Sequence, residues 1–321
     1  TLFLLRKSGM YNYCTLFDSN YLTRGLAMYE SLKKHSNEFH LFIFAFDNKS
    51  YTLLEKLDLE YVTVISLQEF ENKELLKVKK DRSVGEYCWT CTPSTIKYCI
   101  KTYNLDSCTY LDADLYFFSN PSVLIKEMGN KSVLITEHRY SYGYEQSATS
   151  GIYCVQFMTF KKDADGLTAL NWWVDACLQW CYARYEDGKF GDQKYLDDWT
   201  TRFDSIHVLQ NLGGGVAPWN VQQYDLTDDS FKLIFYHFHN FKILQNERIE
   251  LGGYKLNKDN IEILYKPYVK HLEEITKRLK VIDDSFDYNG IVPKHWKDPF
   301  REIRKKLNGT YNVFNKEELI S

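Results

Sequence analysis

The sequence predicts an α/β protein, with a mostly parallel, doubly wound sheet flanked by helices and a helical C-terminal appendage. Three observations predict it. Strand-like and helix-like stretches alternate from residue 11 onward. Residues 39–46 form a nearly continuous apolar run, as in a strand covered on both faces. Acidic clusters close two of the strand-like stretches, where ligands gather in open parallel sheets.

In chain order, residues 11–17 read as a short apolar strand ending at Asp18-Ser19-Asn20, polar residues suited to capping a helix. Residues 21–35 carry Leu22, Leu26, Tyr29 and Leu32 at helical spacing. After the 39–46 strand, Asp47-Asn48 opens a helix to about residue 57, and 61–65 gives a third strand. A helix is expected over 93–103, with Pro93 in its first turn. Residues 108–111 form the next strand and run into Asp112-Ala113-Asp114. Further strands are expected at 132–136, 152–160 and 231–239, with helices at 163–185, 257–280 and 295–307. The simplest organisation is a catalytic domain over 10–250 and a helical extension over 251–321. Residues 1–9, ahead of Met10, are expected to be a vector-derived leader and are set aside.

Composition narrows the function. Forty Lys and Arg against 43 Asp and Glu leave a net charge of −3, unlike a chain that neutralises a nucleic-acid backbone. No apolar run approaches the ~20 residues that span a bilayer. Eight cysteines lie mostly in apolar surroundings, where thiols act as small hydrophobes, and reduced cytoplasmic thiols are expected. The 16% aromatic share suits sugar or base contacts, and equally a bulky core.

The chemistry concentrates at Asp112 and Asp114. An Asp-x-Asp at a strand end lets two carboxylates converge on a hard divalent cation that also holds phosphate oxygens. Such a cation neutralises a diphosphate leaving group. The pair stands inside Tyr110-Leu111-Asp112-Ala113-Asp114-Leu115-Tyr116-Phe117, an apolar setting in which unpartnered carboxylates are costly. Downstream, Gly213-Gly214-Gly215 suits either a flexible loop or close approach of backbone to a ligand.

Six ordered elements resemble the GT-A nucleotide-sugar glycosyltransferases, especially glycosyltransferase family 8 and related bacterial enzymes of surface-polysaccharide assembly. Thr15-Leu16-Phe17-Asp18-Ser19-Asn20-Tyr21 is similar to the family's first strand and uridine-contacting turn, and Tyr110 to Asp114 to its metal motif. Ser150-Gly151 resembles a turn beside the donor sugar, Asp192-Gln193 the pair lying against that sugar, and Trp219-Asn220 the aromatic-Asn pair that follows. Residues 236–242 resemble the late loop carrying a His and a Lys. The resemblance implies a GT-A fold and a Mn²⁺- or Mg²⁺-dependent transfer, with retention, from a nucleotide diphosphate sugar, UDP favoured. It implies metal binding by Asp112, Asp114 and His237 or His239. Nucleotide contacts would fall to Thr15, Leu16, Asp18, Tyr21, Asp112, Ala113 and Lys242. Catalysis would fall to Asp192 and Gln193, and sugar or acceptor contacts to Ser150, Gly151, Trp219 and Asn220.

Two departures stand out: Asn240 occupies a position where the family usually has Gly, and Trp89 falls where it has an Arg, leaving Lys97 as the candidate replacement cation. The expected partners are a nucleotide-sugar donor and a carbohydrate or lipid-linked acceptor, with no nucleic acid. Residues 295–307 are basic and amphipathic, which suits either a solvated helix or peripheral contact with the inner face of a membrane. The rivals are a sugar-phosphate nucleotidyltransferase, which needs a Gly-rich loop after its first strand where Phe17-Asp18-Ser19-Asn20-Tyr21 stands, and a non-catalytic carbohydrate-binding protein.

Overall fold

A computed structural model describes residues 9–293, 295–296 and 298–321, so the expected leader lies, apart from Gly9, outside the described residues. Twelve strands are labelled in chain order: β1 (Tyr11–Phe17), β2 (Phe39–Ala45), β3 (Val62–Ser66), β4 (Ser107–Leu111), β5 (Leu115–Phe117), β6 (Val133–Glu137), β7 (Tyr153–Lys161), β8 (Ile206–Val208), β9 (Phe235–His237), β10 (Lys242–Leu244), β11 (Arg248–Glu250) and β12 (Val313–Asn315). Seven of them form the central sheet in the order β3-β2-β1-β4-β7-β6-β8. Only β7 runs against its neighbours, so the sheet is mostly parallel, as expected.

Side chains alternate across the sheet because the strand period is two. From β1 and β2, Tyr13, Phe17, Leu41 and Ile43 pack with Leu26 and Leu32 of the Leu22–His35 helix and with Leu272 and Ile275 of the Lys266–Ile282 helix. On the other face, Cys14, Leu16, Phe42 and Phe44 join Ile96 and Cys99 of the Val84–Thr102 helix and Leu170 and Trp173 of the Ala164–Gln179 helix. The segment after residue 250 thus shares the core of the N-terminal half. Trp173 and Trp199 are fully buried, so much of the aromatic content is core.

Three expected elements change. The helix with Pro93 begins nine residues earlier, after a capping box in which Ser83 and Glu86 satisfy each other's backbone N–H groups, and Pro93 lies inside it. The expected 163–185 helix stops at Gln179, because Trp180 turns extended and the chain enters a Glu186–Lys189 hairpin. The expected 231–239 strand shrinks to β9, whose partner β5 is equally short.

Candidate functional site

A cleft of about 740 Å³ opens at the carboxyl ends of β1 and β4. The chain leaves β4 through Asp112 and Asp114 and enters β5 at once, and β5 pairs antiparallel with β9 so that Leu115 stands opposite His237. That register carries the imidazole to the two carboxylates across more than a hundred residues of sequence. His237 Nε2 lies 3.1 Å from Asp114 Oδ1 and 3.6 Å from Asp112 Oδ2. Ligand atoms of Asp112, Asp114 and His237 lie within 4.8 Å of one another.

Behind the imidazole stands Gln156 of β7, whose Oε1 is 2.9 Å from His237 Nδ1. An amide oxygen only accepts, so Nδ1 carries the proton and Nε2 is the nitrogen aimed at the carboxylates. Burial opposes charge on His237, but Asp114 and Asp112 outweigh it and raise its pKa well above the ordinary histidine value. Burial, with Asp114 adding to it against the pull of His237, raises Asp112 to about 6. Asp114 is held below the usual carboxylate value because His237 overcomes its burial.

His239 lines the same cleft, its ring 5.6 Å from that of His237, but it does not belong to the three-ligand group. Burial and the charge of His237 push its pKa down to about 4. Of the two histidines the sequence offered, the structure gathers His237.

Asp192 and Gln193 also form part of the cleft wall. Asp192 is buried, its carbonyl accepting from Trp173 Nε1 at 2.9 Å. Burial and then the Asp112 charge push its carboxyl up to about 8. Gln193 Nε2 donates to the Ser150 carbonyl at 2.6 Å, which fixes the turn around Ser150.

At the end of β1, Asp18 caps the following turn, accepting from the Asn20 and Tyr21 N–H groups at 3.0 and 3.3 Å. Leu16, Asp18, Tyr21, Ala113, Ser150, Trp219 and Lys242 all line the cleft. Trp219 is buried, donates from Nε1 to the His138 carbonyl at 2.8 Å, and sets its edge against His237 and His239.

Four expected contacts do not reach the cleft. Thr15 sits inside β1, fully buried in the sheet. Lys97 is on the wrong side of its helix, whose cleft face is Val84, Gly85, Cys88, Trp89 and Thr92. Asn220 spends its amide on backbone: Oδ1 accepts from Ala217 N, and Nδ2 donates to the His138 and Gly215 carbonyls. Gly151 serves the backbone turn behind Ser150, at φ +109°. The three glycines at 213–215 are packing contacts and do not line the cleft; a Cβ on Gly213 would lie 2.0 Å from the Lys232 carbonyl oxygen.

The departure at Asn240 has a backbone reason. Its φ is +60°, the left-handed region where Gly is at ease and Asn is the best tolerated substitute. Sequence reasoning missed Gln156, although a lone amide within the apolar 153–161 run was a visible signal. It also missed His138, Tyr140 and Tyr254, which line the cleft from loops with no spacing to mark them.

No family model matches the chain. It is 28% identical over 298 residues to the uncharacterized protein YfnD of Bacillus subtilis (strain 168), covering 89% of this chain and 96% of that one. Among solved structures it is similar to the bifunctional glycosyltransferase WbbM, at a TM-score of 0.53 and 12% identity, over 85% of this chain and 52% of that one. It is similar also to the apo form of the glycosyltransferase GlyE of Streptococcus pneumoniae TIGR4, at a TM-score of 0.50 and 12% identity, over 84% and 64%. The chain thus spans about half of WbbM and just under two thirds of GlyE. At this identity the likeness is one of fold: a mixed α/β architecture shared with glycosyltransferase structures.

Proposed function

We propose that this chain is a metal-dependent glycosyltransferase of GT-A type, similar to family 8, that moves a sugar from a nucleotide diphosphate donor, UDP favoured, to a carbohydrate or glycolipid acceptor with retention. The observation that carries the reading is the meeting of Asp112, Asp114 and His237 at the carboxyl ends of β4 and β9, inside a cleft walled by Asp192 and Gln193. The donor set fits a divalent cation: two carboxylates, and an imidazole whose Nδ1 is already engaged by Gln156. Asp112, Asp114 and His237 would hold Mn²⁺ or Mg²⁺, which when bound would neutralise the diphosphate leaving group.

The remaining roles belong to the chain's own side chains. Lys242 offers a second positive charge to the diphosphate from the cleft edge. Leu16, Asp18, Tyr21 and Ala113 receive the nucleotide, with Tyr21 presenting a ring face. Gln193 sets its amide beside the donor sugar as positive charge grows on the ring, held there in advance by its bond to Ser150. Asp192 orients a sugar hydroxyl; protonated, it donates a hydrogen bond, and on ionising it accepts a stronger one. Trp219 walls the sugar side.

The test is thermal unfolding against a panel of UDP-, GDP- and dTDP-sugars with and without Mn²⁺. A ligand that binds only the folded chain raises the melting temperature by mass action. One donor should raise it, and only with metal present. If no nucleotide sugar shifts it under either condition, the proposal fails.

A further inference from the structure

A helix lying on a protein surface ordinarily turns its apolar stripe inward. The Asp298–Leu307 helix does the reverse. Phe300, Ile303 and Leu307 recur at i, i+3 and i+7, so they share one face, and they are 69%, 57% and 82% exposed. The contacts with the body come from its polar side. Glu302 Oε1 accepts from Arg248 Nη2 at 3.2 Å, and Lys305 Nζ donates to Glu250 Oε1 at 2.5 Å, both partners on β11. Lys306 lies over the Tyr311 ring, 4.7 Å from its centre. Just ahead of the helix, Trp296 is 72% exposed.

The sequence of this segment is basic: between residues 291 and 307, six Lys or Arg stand against two acidic residues, in a chain whose net charge is −3, and Lys305 and Lys306 among them turn to the body. Arg301 and Arg304 flank the apolar row at helical spacing. A second copy of the same helix would bring cation against cation. An anionic surface meets both halves of the pattern, taking the apolar row below its headgroups and the Arg301 and Arg304 side chains among them.

We propose that the Asp298–Leu307 helix is a membrane-docking element that inserts Phe300, Ile303 and Leu307 into the surface of a bilayer containing anionic lipids. It is fastened close to the cleft, since Glu250 Oε1, the Lys305 partner, also lies 3.9 Å from Nζ of the cleft residue Lys242. The inference rests on the exposed face and not on the sugar-transfer reading, so either can fail without the other.

The experiment is flotation of the full chain with phosphatidylcholine vesicles, with and without phosphatidylglycerol. The chain should float with the anionic vesicles and bind at least ~10-fold less to the neutral ones. Ile303→Glu and Phe300→Ser should each cut binding ~10-fold, and Arg304→Glu by less, all with unchanged melting temperature because these side chains face outward. Absence of flotation, or flotation that survives both apolar replacements, overturns the proposal. So does a wild-type dimer in light scattering that Ile303→Glu dissolves, which would assign the face to a second copy.

Discussion

Two groups of three metal-ligand side chains hang on nearly the same strands, and they differ in almost everything else. Cys14 of β1, Cys108 of β4 and Cys99 of the Val84–Thr102 helix bring their sulfurs within 4.8 Å of one another, as closely as Asp112, Asp114 and His237 bring their oxygens and nitrogen. The thiols are wholly buried within the layer of sheet and helix; burial raises Cys99 and Cys108 well above the ordinary thiol value, so these two pack as small neutral hydrophobes, while against the same burial their hydrogen bonds and that of Thr95 lower Cys14 to about 5. The second group stands a few residues further along the same strand, where it opens on a cleft and opposite charges meet. Proximity is common to both. What separates them is position along the strand: mid-strand ligands are sealed in by packing, while those past the carboxyl end face a space that a ligand can enter.

The strongest way to break this contrast is Asp114→Asn set beside Cys99→Ala. The first should lower sugar transfer at least ~100-fold (about 2.7 kcal/mol) and abolish Mn²⁺-dependent thermal stabilisation, while the second leaves the metal response intact. Equal Mn²⁺ responses in the two variants would erase the distinction. A smaller effect is expected from Gln156→Leu, which removes the acceptor that fixes the His237 tautomer without touching a ligand. Manganese affinity, read by titration of the electron paramagnetic resonance signal, should fall ~10- to 100-fold with the fold retained.

Asp192 sharpens the comparison from between the two cases, being buried like the thiols but set in the cleft wall. Its folded pKa of about 8 lies above the ordinary 3.8, so the folded chain holds the proton more tightly than the unfolded one. That contribution to stability is complete below pH ~4 and is lost as pH rises toward 8. Asp192→Asn keeps a neutral side chain at every pH. In metal-free buffer its melting temperature should exceed the wild type's at pH 8, with the gap closing toward pH 4. A gap that does not change with pH would contradict burial of an ionisable group there.

Much of the sheet was legible because its signals are local. The apolar run of β2 and the strand before Asp112 follow from neighbouring residues alone, and so does the pair Asp112 and Asp114. Less legible was anything set by pairing at a distance. His237 and His239 alternate on one short stretch, and only the register of β5 against β9 decides which meets the carboxylates. Lys97 lies on the far side of its helix from the Val84, Gly85, Cys88, Trp89 and Thr92 face that meets the cleft, and Asn220 is held by hydrogen bonds to carbonyls that the sequence does not bring near. The Pro93 signal misled because a proline inside a long, well-capped helix looks like a proline at the start of a shorter one.

Asn240 carries a last consequence: it holds φ +60°, a torsion that glycine also supplies without strain, so what the position requires is an angle and not a particular side chain. Asn240→Gly should therefore leave the path from His237 to Lys242 as it is, whereas a β-branched residue there would strain the turn that follows the two histidines.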